Sequence, residues 1–166
     1  MKIAELLQSM TEAGVSYVVV GGLAVQLHGF MRATLDIDLV LAMDDANLDK
    51  FIGVARKYGL QPNIPVPLDV LRDAAQIDIW HREKGMLAFS LRESQPGGKV
   101  VDILVRPSVP FDRLMRNAIV GELPGGKVLI ASIEDLLELK RNANRPRDWF
   151  DIEALEKIRR GEDPNG

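Results

Sequence analysis

Two aspartates one residue apart, Asp36 and Asp38, stand in the apolar run Leu35-Asp36-Ile37-Asp38-Leu39-Val40. Strand side chains alternate between faces, so both carboxylates project the same way. Side by side they repel each other unless a cation lies between them. Hard oxygen ligands on a rigid strand suit Mg²⁺, with Mn²⁺ as the alternative, and Mg²⁺ is usually held by one or two carboxylates plus substrate phosphates. Upstream, Val18-Val19-Val20 runs into Gly21-Gly22-Leu23-Ala24. A diglycine turn at a helix start leaves backbone N–H groups free to meet an anion. A phosphate cradle next to metal-binding carboxylates is the equipment of nucleotide chemistry.

Taken alone, Asp-x-Asp also describes an edge strand with two solvated acids. Its neighbours argue for more. Arg32 and Thr34 lead into the pair, and the planar fork of an arginine suits a phosphate, although a salt bridge to either aspartate is its simpler role. Asp102 lies in Val100-Val101-Asp102-Ile103-Leu104-Val105, where a charge is costly to bury unless paired or metal-bound. If that strand lies beside the first, three carboxylates converge, as two-metal phosphoryl or nucleotidyl transfer requires. The third can then take a proton from an attacking hydroxyl. Asp78, in Gln76-Ile77-Asp78-Ile79-Trp80, competes for that place. Asp102 has the longer, more strand-like flank.

The elements that must position these residues follow from pattern and punctuation. Apolar residues at helical spacing predict a helix over Ile3–Ala13 closed by Gly14. A short strand is expected at Tyr17–Val20, a short helix at Leu23–Leu27 and the aspartate strand at Thr34–Ala42. Asp45 or Asn47 is the expected cap of a helix running to Lys57. The proline-rich stretch 61–67 reads as loop or extended chain. Leu68–Ala75 reads as a helical turn or two, and Gln76–Trp80, Met86–Leu91, Lys99–Val105 and Val128–Ala131 as strands. Phe111–Ala118 is predicted helical. Ser132, with Asp135 three residues on, opens another helix. Asn144-Arg145-Pro146 breaks it, and a last helix is expected over Asp148–Arg160 with Phe150 among its apolar contacts. Residues 162–166 are expected to fray. The β-α-β-α order predicts an α/β (α+β) fold, a mixed sheet flanked by helices with a helical C-terminal segment. The expected organisation is one domain, with residues 1–131 as its core and 132–166 as that segment.

The 166 residues suffice for one core. The absence of cysteine excludes a disulfide scaffold and thiolate metal sites, and it fits a reducing cytoplasm. No apolar run approaches the ~20 residues of a membrane helix, and the first residues carry Glu5 within their apolar stretch, unlike a signal peptide. A net charge of −3 leaves no broad basic footprint for duplex DNA.

The order Gly21-Gly22, thirteen intervening residues, Asp36-Ile37-Asp38 and then a distant Asp102 resembles the DNA polymerase β-type nucleotidyltransferase superfamily. The fuller string Gly-Gly-Leu-Ala-Val, then His28-Gly29, then Arg32-Ala-Thr34-Leu-Asp36-Ile-Asp38-Leu, is similar to the minimal nucleotidyltransferases. That group includes the abortive-infection and toxin–antitoxin toxins and the small antibiotic nucleotidyltransferases. Ile133 to Lys140, followed by Arg145-Pro146-Arg147-Asp148-Trp149-Phe150-Asp151-Ile152, resembles the closing motif of the toxin-like members. The resemblance implies the nucleotidyltransferase fold. It also implies metal binding by Asp36, Asp38 and Asp102, a triphosphate held by Gly21 and Gly22, Lys140 reaching a phosphate, and Asp148 positioning Lys140. One departure is Gly22, where many relatives carry a serine whose hydroxyl binds phosphate.

The implied reaction moves an NMP from an NTP to an acceptor hydroxyl or phosphate and releases pyrophosphate. RNA, protein or a small molecule can be the acceptor, and a toxin–antitoxin setting implies an antitoxin partner. A non-catalytic nucleotide-binding relative is the rival of another class. Within the chemistry, an acidic pocket built from Asp69, Asp73, Asp78 and Glu83 would favour a cationic drug, and a basic corner at Arg141, Arg145, Arg147 and Lys127 would favour RNA. His28 at a helix end reads as a cap or core partner, and Trp80 and Trp149 as packing residues.

Overall fold

The computed structural model describes residues 1–166. The apolar runs become strands β1 (Tyr17–Val20), β2 (Asp36–Leu41), β3 (Gln61–Pro62), β4 (Ala88–Arg92), β5 (Val100–Leu104), β6 (Ile119–Leu123) and β7 (Gly126–Ile130). Helices α1 (Ile3–Glu12), α2 (Gly21–Leu27), α3 (Asp45–Lys57), α4 (Ala74–Lys84), α5 (Phe111–Asn117), α6 (Ile133–Ala143) and α7 (Trp149–Arg159) connect them, with 3₁₀ turns at Leu68–Arg72 and Pro146–Asp148. The seven strands form one mixed sheet in the order β3-β4-β5-β2-β1-β7-β6. β2 runs parallel to β5 and antiparallel to β1, so the aspartate strand lies at the centre of the sheet.

Alternation along β2, β4 and β5 sends Ile37, Leu39, Phe89, Leu91, Val101 and Ile103 into the core, each at most 1% exposed. The opposite face carries Asp36, Asp38, Ser90 and Asp102, none of them fully buried. Burying one face of these strands and leaving the other accessible fixes the register, because a one-residue slip would put the acids in the core. Leu136 and Leu137 of α6 and Leu155 of α7 belong to the same continuous core as the sheet. No helix is long and apolar enough to cross a membrane.

Several elements differ from the sequence expectation. Residues 76–80 are helical, within α4, not a strand. Asp73 caps that helix by accepting from the Gln76 N–H, and Gly85 ends it in the left-handed region. These two signals outweigh the local alternation around Ile77. The hairpin β6–β7 turns through Pro124-Gly125, with Gly125 at φ 97° and Leu123 paired to Gly126. β6 is an edge strand, exposed at Ile119 and Val120, and so lacks the apolar run that would announce it. Asp44 caps α3; Asn47 instead is buried and ties Ser16 to Ala42 with its amide. Trp149 and Phe150 are 65% and 76% exposed, so neither packs in the core, because α7 turns Asp151, Ala154 and Leu155 inward instead, and Asp148 just before it is buried too. The tail is not free at Asn165: its side chain accepts from the Met31 N–H and donates to the Gly29 carbonyl.

Candidate active site

Strand pairing assembles the acids. Asp38 of β2 stands beside Asp102 of β5, and Asp36 beside Val100, in one parallel ladder. Asp78 does not join them; it lies on α4 in an ion pair with Arg106. Ser90 of β4 is paired with Asp102, and its hydroxyl donates to that carboxylate. The ionisation of Asp38 is strongly opposed. Burial, followed by the charges of Asp102 and Asp36, pushes its pKa from 3.8 up to about 6, with Lys140 offsetting part of the effect.

Gly21 opens α2 at φ +66°, and a Cβ there would meet the Asp38 carboxylate at 2.0 Å. Only glycine permits both this backbone and this approach. Val20, the N-cap, offers no side-chain hydrogen bond to the first turn, so the diglycine N–H groups are not capped from within the chain. At Gly22 a Cβ would stand 3.0 Å from the Arg32 guanidinium carbon. Arg32 therefore fills the space that a side chain at position 22 would take. It pairs with neither strand aspartate; its partner is Asp151 of α7. The Thr34 hydroxyl donates to the Asp36 carbonyl and so steadies the entry to β2.

A second charged cluster, Lys140 with Asp148 and Asp151, is buried in the C-terminal segment. Lys140 of α6 is 3.4 Å from Asp148 and 3.0 Å from Asp151, and its side chain is 8% exposed. Arg145 also binds Asp148, at 2.8 Å. Burial opposes the charge on Asp148, but the Arg145 hydrogen bond and the Lys140 charge outweigh it, and its pKa falls below the usual carboxylate range. The network thus fixes Lys140 between Asp148 and Asp151, and Asp151 joins it to Arg32. Asp151 escaped the sequence reading. Its signal was the Asp148-x-x-Asp151 spacing, which puts both carboxylates on one helical face. His28 donates from Nε2 to the Ala131 carbonyl, 2.8 Å away, as a packing partner does.

No group of three or more His, Cys, Asp or Glu side chains is placed to hold a metal ion by itself. What favours a cation is the charge at Asp38, opposed by burial, Asp102 and Asp36, which a bound cation would relieve. Mg²⁺ commonly completes such open carboxylate sites with substrate phosphates and water.

A mixed sheet carrying acids on its central strands, next to a glycine-opened helix and closed by a C-terminal helix pair, is the nucleotidyltransferase fold. The crystal structure of the lincosamide antibiotic adenylyltransferase LnuA with lincomycin bound shares it at TM-score 0.61 and 17% identity, over 93% of this chain and 94% of that one. The crystal structure of ANT(2")-Ia in complex with adenylyl-2"-tobramycin shares it at TM-score 0.56 and 13% identity, over 95% of each chain. No curated protein matches the chain. Residues 6–165 match the family described as nucleotidyl transferase AbiEii toxin, type IV TA system. The chain belongs to this family, and it is a nucleotidyltransferase.

Proposed function

We propose that the enzyme is divalent-cation-dependent and transfers an NMP from an NTP to a hydroxyl of RNA, as a cytoplasmic toxin held in check by an antitoxin partner. The observation that carries the site assignment is the Asp38–Asp102 pairing, which sets two carboxylates side by side in the face opposite the core. Asp36, Asp38 and Asp102 would hold the metal. When bound, Mg²⁺ would neutralise charge that develops on the transferring phosphoryl group.

The chain's own groups take the other tasks. The N–H groups of Gly21 and Gly22 receive the triphosphate, with Arg32 beside them and Thr34 fixing the strand entry. Lys140 donates to a phosphate, and Asp148 positions it. Asp102 accepts the proton of the incoming hydroxyl. Residues 132–166 then form part of the same catalytic domain as 1–131, since Lys140, Asp148 and Asp151 close its site.

An anionic acceptor is supported by how the surface charges are used. Asp69 is taken up by Arg56 and Arg72, Asp78 by Arg106, and Asp73 by the cap of α4. That leaves only Glu83 of the acidic pocket a cationic drug would need without a partner. In the basic corner, Arg141 and Arg145 are taken up by Glu156 and Asp148, whereas Arg147 and Lys127 form no ion pair. Arg92 is exposed on β4, two strands from Asp36 in the same row, and likewise forms no ion pair. The test incubates the protein with each labelled NTP, Mg²⁺ and total RNA, total protein or aminoglycosides. Label in RNA, lost with Asp38→Ala, supports the reading. Label in the drug or protein pool replaces the acceptor, and undiminished transfer by the variant overturns the site.

A further inference from the structure

Strand register lays four residues in a single row: Ser90 on β4 opposite Asp102 on β5, Asp102 beside Asp38 on β2, and Asp38 opposite Val20 on β1. Gly21 and Gly22 continue directly from Val20. Adjacent strands lie about 4.8 Å apart, so the row extends over roughly 14 Å. It begins at a hydroxyl, crosses two carboxylates and ends at the diglycine turn. Residues of one row share a face, and Ser90 is not fully buried. Its Oγ donates to Asp102 Oδ1, so a nucleophile is already docked on the group best placed to take its proton.

The direction of the row matters. With the triphosphate tail at Gly21-Gly22, pyrophosphate departs toward β1. In-line displacement then requires the attacking oxygen on the far side, over β5 and β4. Ser90 holds that side. The other hydroxyl near the acids, Thr34, is engaged with the Asp36 carbonyl at the entry of β2.

We propose that Ser90 is a self-nucleotidylation site, an internal acceptor used when no other hydroxyl is bound. The inference rests on the metal and triphosphate placement argued above. The Ser90 Oγ–Pα bond forms as the bond from Pα to the bridging oxygen of the β-phosphate breaks. Pyrophosphate leaves with that electron pair, and the serine proton passes to Asp102. The resulting phosphodiester lies across Asp102 and closes the side from which an external acceptor approaches, so the modification limits the enzyme's own activity.

The full chain is incubated with Mg²⁺ and each of the four NTPs, with and without total RNA, and read by intact mass, peptide mapping and pyrophosphate release. The expected result is a gain of one nucleotide per chain, mapped to Ser90, suppressed by RNA, absent in Ser90→Ala and retained in Ser90→Thr. Pyrophosphate release or labelling of RNA with no change in protein mass overturns the self-modification alone. So does an adduct that persists in Ser90→Ala. If Ser90→Ala only slows transfer to RNA and the parent carries no adduct, the serine merely orients Asp102 and the inference fails. Absence of both pyrophosphate and label sinks the proposed function along with it.

Discussion

Replacing Asp38 with asparagine should make the metal-free protein more stable while abolishing transfer. The fold opposes the charge of Asp38 by burial first, then by Asp102 and Asp36, and its pKa rises from 3.8 to about 6. At about 1.4 kcal/mol per pKa unit, ionised Asp38 costs the native state on the order of 3 kcal/mol. The native protein binds this proton more tightly than the unfolded chain. The stability contribution is therefore complete below pH ~4, falls as pH rises toward 6 and is flat above that. Asparagine keeps the shape and removes the charge. In urea titrations at pH 8, Asp38→Asn should exceed the parent by up to ~3 kcal/mol, and the gap should close as pH falls through the same window. Added Mg²⁺ should narrow the gap at pH 8 by stabilising the parent alone. A variant less stable than the parent at pH 8, or a gap that ignores pH, would refute the electrostatic account of the site.

Gly21→Ala forces a Cβ to 2.0 Å from the Asp38 carboxylate at φ +66°. It should cost at least ~1–2 kcal/mol from the left-handed backbone and lower the transfer rate about a hundredfold by moving Asp38. Denaturation midpoints and initial rates check the two parts separately. Lys140→Met leaves Asp148 and Asp151 buried without their shared cation and should destabilise by ~3–5 kcal/mol, with loss of activity, seen by thermal melting and rate assays. Asp151→Asn should release Arg32 from α7 and raise the apparent dissociation constant for NTP about tenfold, measured by calorimetric titration.

How far the sequence carries the site depends on the range of the interaction. Asp36 and Asp38 are legible because strand alternation is local: one residue of spacing fixes one shared face. Gly21 is legible as a turn residue, but its main constraint is a carboxylate seventeen positions away, visible only once β1 and β2 are paired. Asp78 and Asp102 look alike in one dimension, each an acid between apolar neighbours. The difference is punctuation, since Asp73 and Gly85 turn the first segment into a helix, while no cap interrupts the second. β6 was illegible because an edge strand needs no buried alternation, and its Pro-Gly turn was the only mark it left.

Arg32 and Asp151 show why the remaining residues could not be placed by motif. Arg32 lies four residues before Asp36, so proximity in sequence suggests that it neutralises the metal acids. The structure turns it toward α7 instead, where Asp151 also binds Lys140. This division leaves the Asp36–Asp38–Asp102 group without an arginine counter-charge and keeps Asp38 poised near pH 6, while Asp148 is held well ionised by Arg145 and Lys140. Asp38 and Asp148 are thus shifted in opposite directions: burial and the charges of Asp102 and Asp36 raise the first, while Arg145 and Lys140 outweigh burial at the second. The Asp148–Asp151 cluster is charge-paired within the chain and fixes Lys140. The Asp36–Asp38–Asp102 cluster has only the partial offset of Lys140 at Asp38, and that shortage of cationic partners is what its proposed metal role requires. On the proposed metal role of these acids, moving Arg32 beside them would stabilise the metal-free fold at the expense of cation affinity.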